Sequence, residues 1–186
     1  MRNIFLLICA TWALCSCQTE IQPKPKAMLR LDYPQAQYDT LHYGNCPFWF
    51  EKNTLSSLEK EKNCSMNLYY PTMKATIYLT YKPVQNNLKN LLRDAQKLTY
   101  EHVVKAINIV EQPYLDPQQR VYGMFYQVEG NAASQSQFYV TDSTRHFLTG
   151  SIYFNVKPNF DSILPAAQYI RQDIRHIMET LRWAEK

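Results

Sequence analysis

The sequence predicts an α+β fold, with one antiparallel sheet of about six or seven strands packed by two main helices. Three observations carry that expectation. Apolar residues alternate with period two over 74–81 and again across 120–156. Apolar stripes at three- and four-residue spacing run over 88–98 and 163–181. With 46% of its 186 residues apolar and 19% charged, the chain can fill one core of ordinary domain size.

Taken in order, Ala27–Tyr33 alternates Ala27, Leu29, Leu31 and Tyr33 with Met28, Arg30 and Asp32, which predicts a first strand stopped by Pro34. Tyr38–Tyr43 and Phe48–Phe50 are short strand candidates, and polar Asn53–Asn63 reads as a short helix or a loop. Lys74–Tyr81 places Ala75, Ile77, Leu79 and Tyr81 on one face of a clearer strand. From Asn87 the period changes, and Leu88, Leu91, Leu92, Ala95 and Leu98 stripe a helix ending between Tyr100 and Lys105. Ile107–Val110 reads as a strand, with Pro113 and Pro117 bracketing a turn.

Arg120–Glu129, Gln135–Thr141 and Phe147–Val156 form a three-strand meander, with turns at Gly130-Asn131 and Asp142-Ser143-Thr144-Arg145. The last helix opens at Asp161 or Ser162, either a good N-cap, with Pro165 in its first turn. Ile163, Ala166, Ala167, Ile170, Ile174, Ile177 and Leu181 stripe it, while Arg171, Gln172, Arg175, Glu179 and Arg182 lie opposite and suit water or a partner.

The N-terminus bears on compartment. Arg2 precedes an uncharged, mostly apolar stretch from Ile4 to Leu14, too short to span a bilayer but of signal-peptide length. It ends in Leu14-Cys15-Ser16-Cys17, which resembles a bacterial lipobox; the alternative is an ordinary secretory signal with Cys17 incidental. The expected organisation is a signal peptide over 1–16, a lipidated tether over 17–26 beginning at Cys17, and a single globular domain over 27–186. A diacylglycerol thioether with an N-acyl chain gives persistent anchoring, where one acyl chain gives only marginal binding. Cys46 and Cys64 then remain in an exported domain and predict one disulfide, with two free buried thiols as the alternative.

Several chemistries are excluded or weak. Four glycines, at 44, 123, 130 and 150, cannot make G-x-G-x-x-G, and no Walker-type loop occurs. A net charge of +4 without a Lys/Arg run gives no nucleic-acid signature. His42, His102, His146 and His176 form no metal motif, and His102 and His176 are expected on helix surfaces. Asp142, Ser143 and His146 could assemble a triad, but three residues in one tight turn rarely reach that geometry, and turn chemistry explains Asp142-Ser143-Thr144 better. Tyr69, Tyr70, Tyr78, Tyr81, Tyr122, Tyr126, Tyr139 and Tyr153 fall in strand candidates; a tyrosine-rich sheet face fits a binding surface and fits ordinary strand preference equally. No catalytic residue, metal or cofactor is expected.

Longer strings carry a resemblance. Pro23-Lys24-Pro25-Lys26 followed by Leu29-Arg30-Leu31-Asp32-Tyr33-Pro34 resembles the mature start of the GldD family, the gliding motility lipoproteins of Bacteroidota. Residues 74–106, 121–155 and 157–183 are similar to later family segments in collinear order, and Cys17, Cys46 and Cys64 coincide with the family's cysteines; residues 51–63 match least well. The resemblance implies a non-enzymatic envelope lipoprotein that assists gliding motility and type IX secretion. It implies other lipoproteins and envelope components of that apparatus as partners, and membrane association through the lipid. The expected location is a domain facing the periplasm, at the outer membrane in preference to the inner, since Gln18 after Cys17 is not the aspartate that retains lipoproteins at the inner membrane in some bacteria. A solute-binding or transport-associated lipoprotein is the alternative. The meander followed by a long C-terminal helix also resembles the PsbP-like α/β/α sandwich.

Overall fold

The computed structural model describes residues 30–101, 105–156 and 159–184. The signal segment, Cys17, the tether, His102 and the first part of the expected strand Ala27–Tyr33 lie outside them. Residues 30–37 carry no strand. The first strand is β1 (Tyr38–His42), followed by β2 (Phe48–Asn53), β3 (Ser57–Lys60), β4 (Met66–Tyr70) and β5 (Ala75–Pro83). Helix α1 (Leu88–Tyr100), strands β6 (Ala106–Asp116), β7 (Val121–Gly130), β8 (Ser136–Thr141) and β9 (His146–Phe154), helix α2 (Phe160–Thr180) and a two-residue β10 (Arg182–Trp183) complete the order.

Seven strands form one antiparallel sheet in the order β3-β4-β5-β9-β8-β7-β6, and β1-β2-β10 form a second. The expected α+β class with two main helices is therefore present. Directly opposed residues share a face, so Leu68↔Ile77↔Ile152 and Phe125↔Phe138 point to one side. That side meets Ile170, Ile174 and Ile177 of α2 and Phe48 and Phe50 of the small sheet in a single core. The alternate residues face away, and α1 lies there, with Thr99 Oγ1 donating to Gln137 Oε1 at 3.0 Å. The layers are α1, the large sheet, then α2 beside the small sheet.

Departures from the expected elements have local causes. Residues 57–60 form edge strand β3, although Ser-Leu-Glu-Lys has only Leu58 to show an apolar face. Strand β6 runs straight through Pro113, and the turn lies at 117–120. Pro113 is tolerated because β6 is an edge strand, where a missing ladder N–H costs little. Helix α2 opens at Phe160 with Asn159 as N-cap, two to three residues before the expected cap. The Phe160 N–H is taken by Asn131 Oδ1 at 2.9 Å, a long-range acceptor that local sequence does not reveal. In α1 the buried stripe turns from Leu91 to Thr99, leaving Leu98 half exposed.

One glycine is fixed by packing. Phe138 stands directly opposite Gly150, and a Cβ on Gly150 would lie 2.1 Å from Phe138 Cε1. The ring is buried in the core, so moving it aside must displace its neighbours. Gly150→Ala is expected to destabilise by about 1–3 kcal/mol, the range for overpacking. An unchanged urea midpoint would show that the ring can shift.

The two sheets are tied twice. Cys46, after the β1–β2 turn, is bonded to Cys64, in the β3–β4 turn, with Sγ–Sγ 2.08 Å. Closing a loop of that length stabilises by about 3 kcal/mol in the chain-entropy model. The second tie is a buried carboxylate. Asp173 of α2, 1% exposed, accepts from Tyr38 Oη at 2.8 Å, Tyr70 Oη at 3.0 Å and Asn53 Nδ2 at 3.1 and 3.0 Å. Its donors come from β1, β2 and β4, one or more from each sheet. Burial pushes the Asp173 carboxyl above its ordinary value, against the opposing pull of those hydrogen bonds.

Candidate functional site: the cleft at the strand ends

The β6–β7 turn, the β8–β9 turn and the residues after α2 converge at one end of the large sheet. Between them lies a cleft of about 370 Å³, walled by Arg120, Asp142, Arg145, His146 and Trp183. Each wall has a local cause. Asp142 Oδ1 accepts the N–H groups of Thr144, Arg145 and His146 at 2.8–3.0 Å, and its Oδ2 accepts Thr144 Oγ1 at 2.9 Å. That is the Asx chemistry expected of Asp-Ser-Thr, and it lets Ser143 adopt φ +67. Burial works to raise the Asp142 pKa, but these donors outweigh it and hold the group at about 2. A depressed folded value stabilises above the ordinary value of 3.8, and that contribution is lost as pH falls towards 2.

His146 opens β9 and is half-buried. Its Nδ1 lies 2.8 Å from the Tyr81 hydroxyl, and its ring stacks on Trp183 at 5.2 Å and 19°. Burial lowers its pKa; Asp142 opposes this, while Arg145 and Arg120 reinforce it. Trp183 Nε1 donates to the Arg120 carbonyl at 3.1 Å, and Arg120 Nη2 donates to Thr144 Oγ1 at 3.3 Å. Arg120 takes a left-handed φ of +56 at the end of the β6–β7 turn, which turns its side chain towards the β8–β9 turn. The cleft wall is thus cross-linked by hydrogen bonds and a ring stack.

The residues singled out from sequence fare differently. Asp142 and His146 do meet, but not as a triad. The carboxylate is occupied by the turn's backbone, and the imidazole Nδ1 is engaged by Tyr81. His176 is not on a helix surface, because β1 and β2 cover that side of α2. It stacks on Tyr38 at 3.6 Å, and its Nε2 lies 2.7 Å from Glu51 Oε2. His42 packs beside Trp49. The supposed water-facing side of α2 is also used, since Arg175 lies 4.9 Å over the Phe125 ring and bonds Gln112.

The strand tyrosines divide between faces. Tyr70 and Tyr81 point into the α2 side, whereas Tyr78, Tyr139 and Tyr153 share the opposite face, where Tyr78 and Tyr153 make an edge-on pair at 5.6 Å. No one face carries all eight. Sequence reasoning missed Arg120, Arg145 and Trp183, which stand 25 or more positions apart and each read locally as an ordinary strand, turn or helix residue. Among the described residues no three His, Cys, Asp or Glu side chains are grouped to hold a metal ion. No helix among them is long and apolar enough to cross a membrane.

No curated protein matches the chain. Among solved structures it is similar to the solution structure of cyanobacterial PsbP (CyanoP) from Synechocystis sp. PCC 6803, at 9% identity and TM-score 0.49, covering 81% of this chain and 94% of that one. A family model described as gliding motility lipoprotein GldD matches residues 18–183, starting just after Cys17 and ending on Trp183 in the cleft. The match spans every element described above, and the chain belongs to this family of membrane-anchored envelope lipoproteins.

Proposed function

We propose that the protein is a lipid-anchored accessory or assembly factor that serves gliding motility and the linked type IX secretion apparatus through protein–protein contacts. The observation that carries this reading is the family match over residues 18–183, which takes in the whole described fold rather than one element. Cys17 is the residue that receives lipid, and the expected disulfide partners Cys46 and Cys64 brace the exported fold. The domain faces the periplasm, at the outer membrane in preference to the inner.

The geometry offers a contact surface. Strand β6 is eleven residues long and forms the edge of the large sheet, and among the described residues no strand pairs with its far side. Ile107 and Leu115 on it are 83% and 70% exposed. An open edge with exposed aliphatics favours an extended segment of a partner lipoprotein, which would add a strand and seat side chains on these two residues.

Tagged protein, cross-linked mildly in cells, is expected to co-purify with gliding or type IX secretion components, and Ile107→Lys with Leu115→Lys is expected to lose them. Recovery of none of these components would overturn the reading. Cys17→Ala is expected to release folded protein from membranes, because the anchor lies outside the core. Mutant protein that still sediments with membranes after a salt wash would contradict lipidation at Cys17.

A further inference from the structure

We infer that the crevice between helix α1 and the outer face of the large sheet, with the Tyr78–Tyr153 pair beside it, is a binding site for a neutral saccharide. The tyrosines form a shelf for a sugar ring, and Gln137 supplies a buried donor to one of its oxygens. This goes beyond the contact role proposed above, and either can fail while the other stands.

Strand register builds the site. On the face turned away from α2, Tyr78 of β5 stands opposite Ser151 of β9, and Ser151 stands opposite Gln137 of β8. One row along the same face, Thr76 stands between Tyr69 and Tyr153. A crevice of about 40 Å³ lies at the Gln137 end of the first row, beside Ala95, Leu98 and Thr99 of α1. The aromatic pair lies at the other end, where Tyr78 is 41% exposed and meets Tyr153 edge-on at 5.6 Å. An aromatic ring carries partial negative charge on its face, which attracts the weakly positive C–H bonds of a sugar ring.

Strand preference accounts for the tyrosines by themselves, but it does not account for Gln137. That residue is 5% exposed, and its Oε1 accepts the Thr99 hydroxyl at 3.0 Å. The bond leaves Nε2 as the remaining donor in the crevice that Gln137 lines, and among the described residues Nε2 has no acceptor. An amide donor unpaired at such depth is a cost that a ligand oxygen removes. Charge narrows the class. The described lining includes the hydroxyl residues Thr149 and Ser151 but no Asp, Glu, Lys, Arg or His, so a charged ligand finds no counter-ion there. Uncharged donors and acceptors beside an aromatic shelf match a sugar, whose oxygens bond while its ring face stacks. The crevice holds one ring substituent, so the ring lies on the tyrosines and a single hydroxyl group enters. Only Leu91 and Thr99 of α1 are buried, so the helix is lightly held and can shift to let that oxygen reach Nε2.

The test uses the full chain in a detergent without a sugar headgroup. Cellotriose and tri-N-acetylchitotriose are titrated separately by calorimetry. Pelleting with purified peptidoglycan forms a third arm, which distinguishes a wall glycan from a free oligosaccharide. The inference expects saturable binding in at least one arm. It expects Tyr78→Ala to weaken that binding about tenfold through loss of the stacked ring, while Tyr78→Phe, which keeps the ring, stays within about threefold. Gln137→Leu, which removes the donor at similar volume, is expected to weaken it about tenfold. Tyr78 is exposed, so its variants test the shelf even where Gln137→Leu lowers the melting midpoint. Ile107→Lys with Leu115→Lys, which disrupts the proposed contact edge, should leave saccharide binding unchanged, so the two sites are read separately. No saturation in any arm, or an affinity indifferent to Tyr78→Ala, would overturn the inference.

Discussion

Ile174→Ala is expected to lower stability by about 2–5 kcal/mol, the usual range for truncating a fully buried isoleucine. Ile174 has no exposed surface, and it sits mid-helix between Ile170 and Ile177, in the core that α2 shares with the large sheet and with Phe48 and Phe50 of the small one. Helix and both sheets contribute to that core, so a hole left by truncation is not filled by a small local shift. A urea melt of the protein lacking residues 1–26 reads the effect. If the stripe served instead to dock a partner, the isolated mutant would keep its midpoint and lose only binding, and that result would refute the packing of α2.

Asp173→Ala is the second large effect, expected at about 3 kcal/mol, because it removes the acceptor of two buried donors and one half-buried donor at about 1–3 kcal/mol each, partly offset by removing a buried charge. The donors are Tyr38, Asn53 and Tyr70, so the loss loosens β1, β2 and β4 from α2 together. The pH dependence has a definite sign. Because burial raises the folded carboxyl above its ordinary 3.8, the folded state holds this proton more tightly than the unfolded chain does. The group's contribution is fully present below 3.8 and declines as pH rises through the folded value. Asp173→Asn removes that titration. In the window above 3.8 the wild type should therefore lose stability relative to the variant as pH rises. Relative gain by the wild type over that window would mean that the three donors outweigh burial.

Much of this architecture was legible because it obeys one-dimensional rules. Alternation across 121–154 marked β7, β8 and β9, and the isoleucine stripe of α2 marked the helix and its buried side. What escaped depends on neighbours distant in sequence. Ser57–Lys60 becomes strand by pairing with β4, and Arg182–Trp183 becomes strand by pairing with β2, though both read as loop or helix end. Ala27–Tyr33 alternates well, yet its described part, residues 30–33, pairs with no strand. Asp173 reads as a polar residue beside the Ile170–Ile174 stripe, and only the tyrosines of β1 and β4 make it a core group. The cleft is the extreme case, since Arg120, His146 and Trp183 come from three separate chain segments.

The role in the cell is tested most directly by deleting the gene and scoring two phenotypes in one strain, surface spreading and secretion of type IX cargo. Both should be lost, and both restored by the wild-type protein but not by Cys17→Ala. A deletion strain that spreads and secretes like its parent would contradict the proposed role in gliding and secretion.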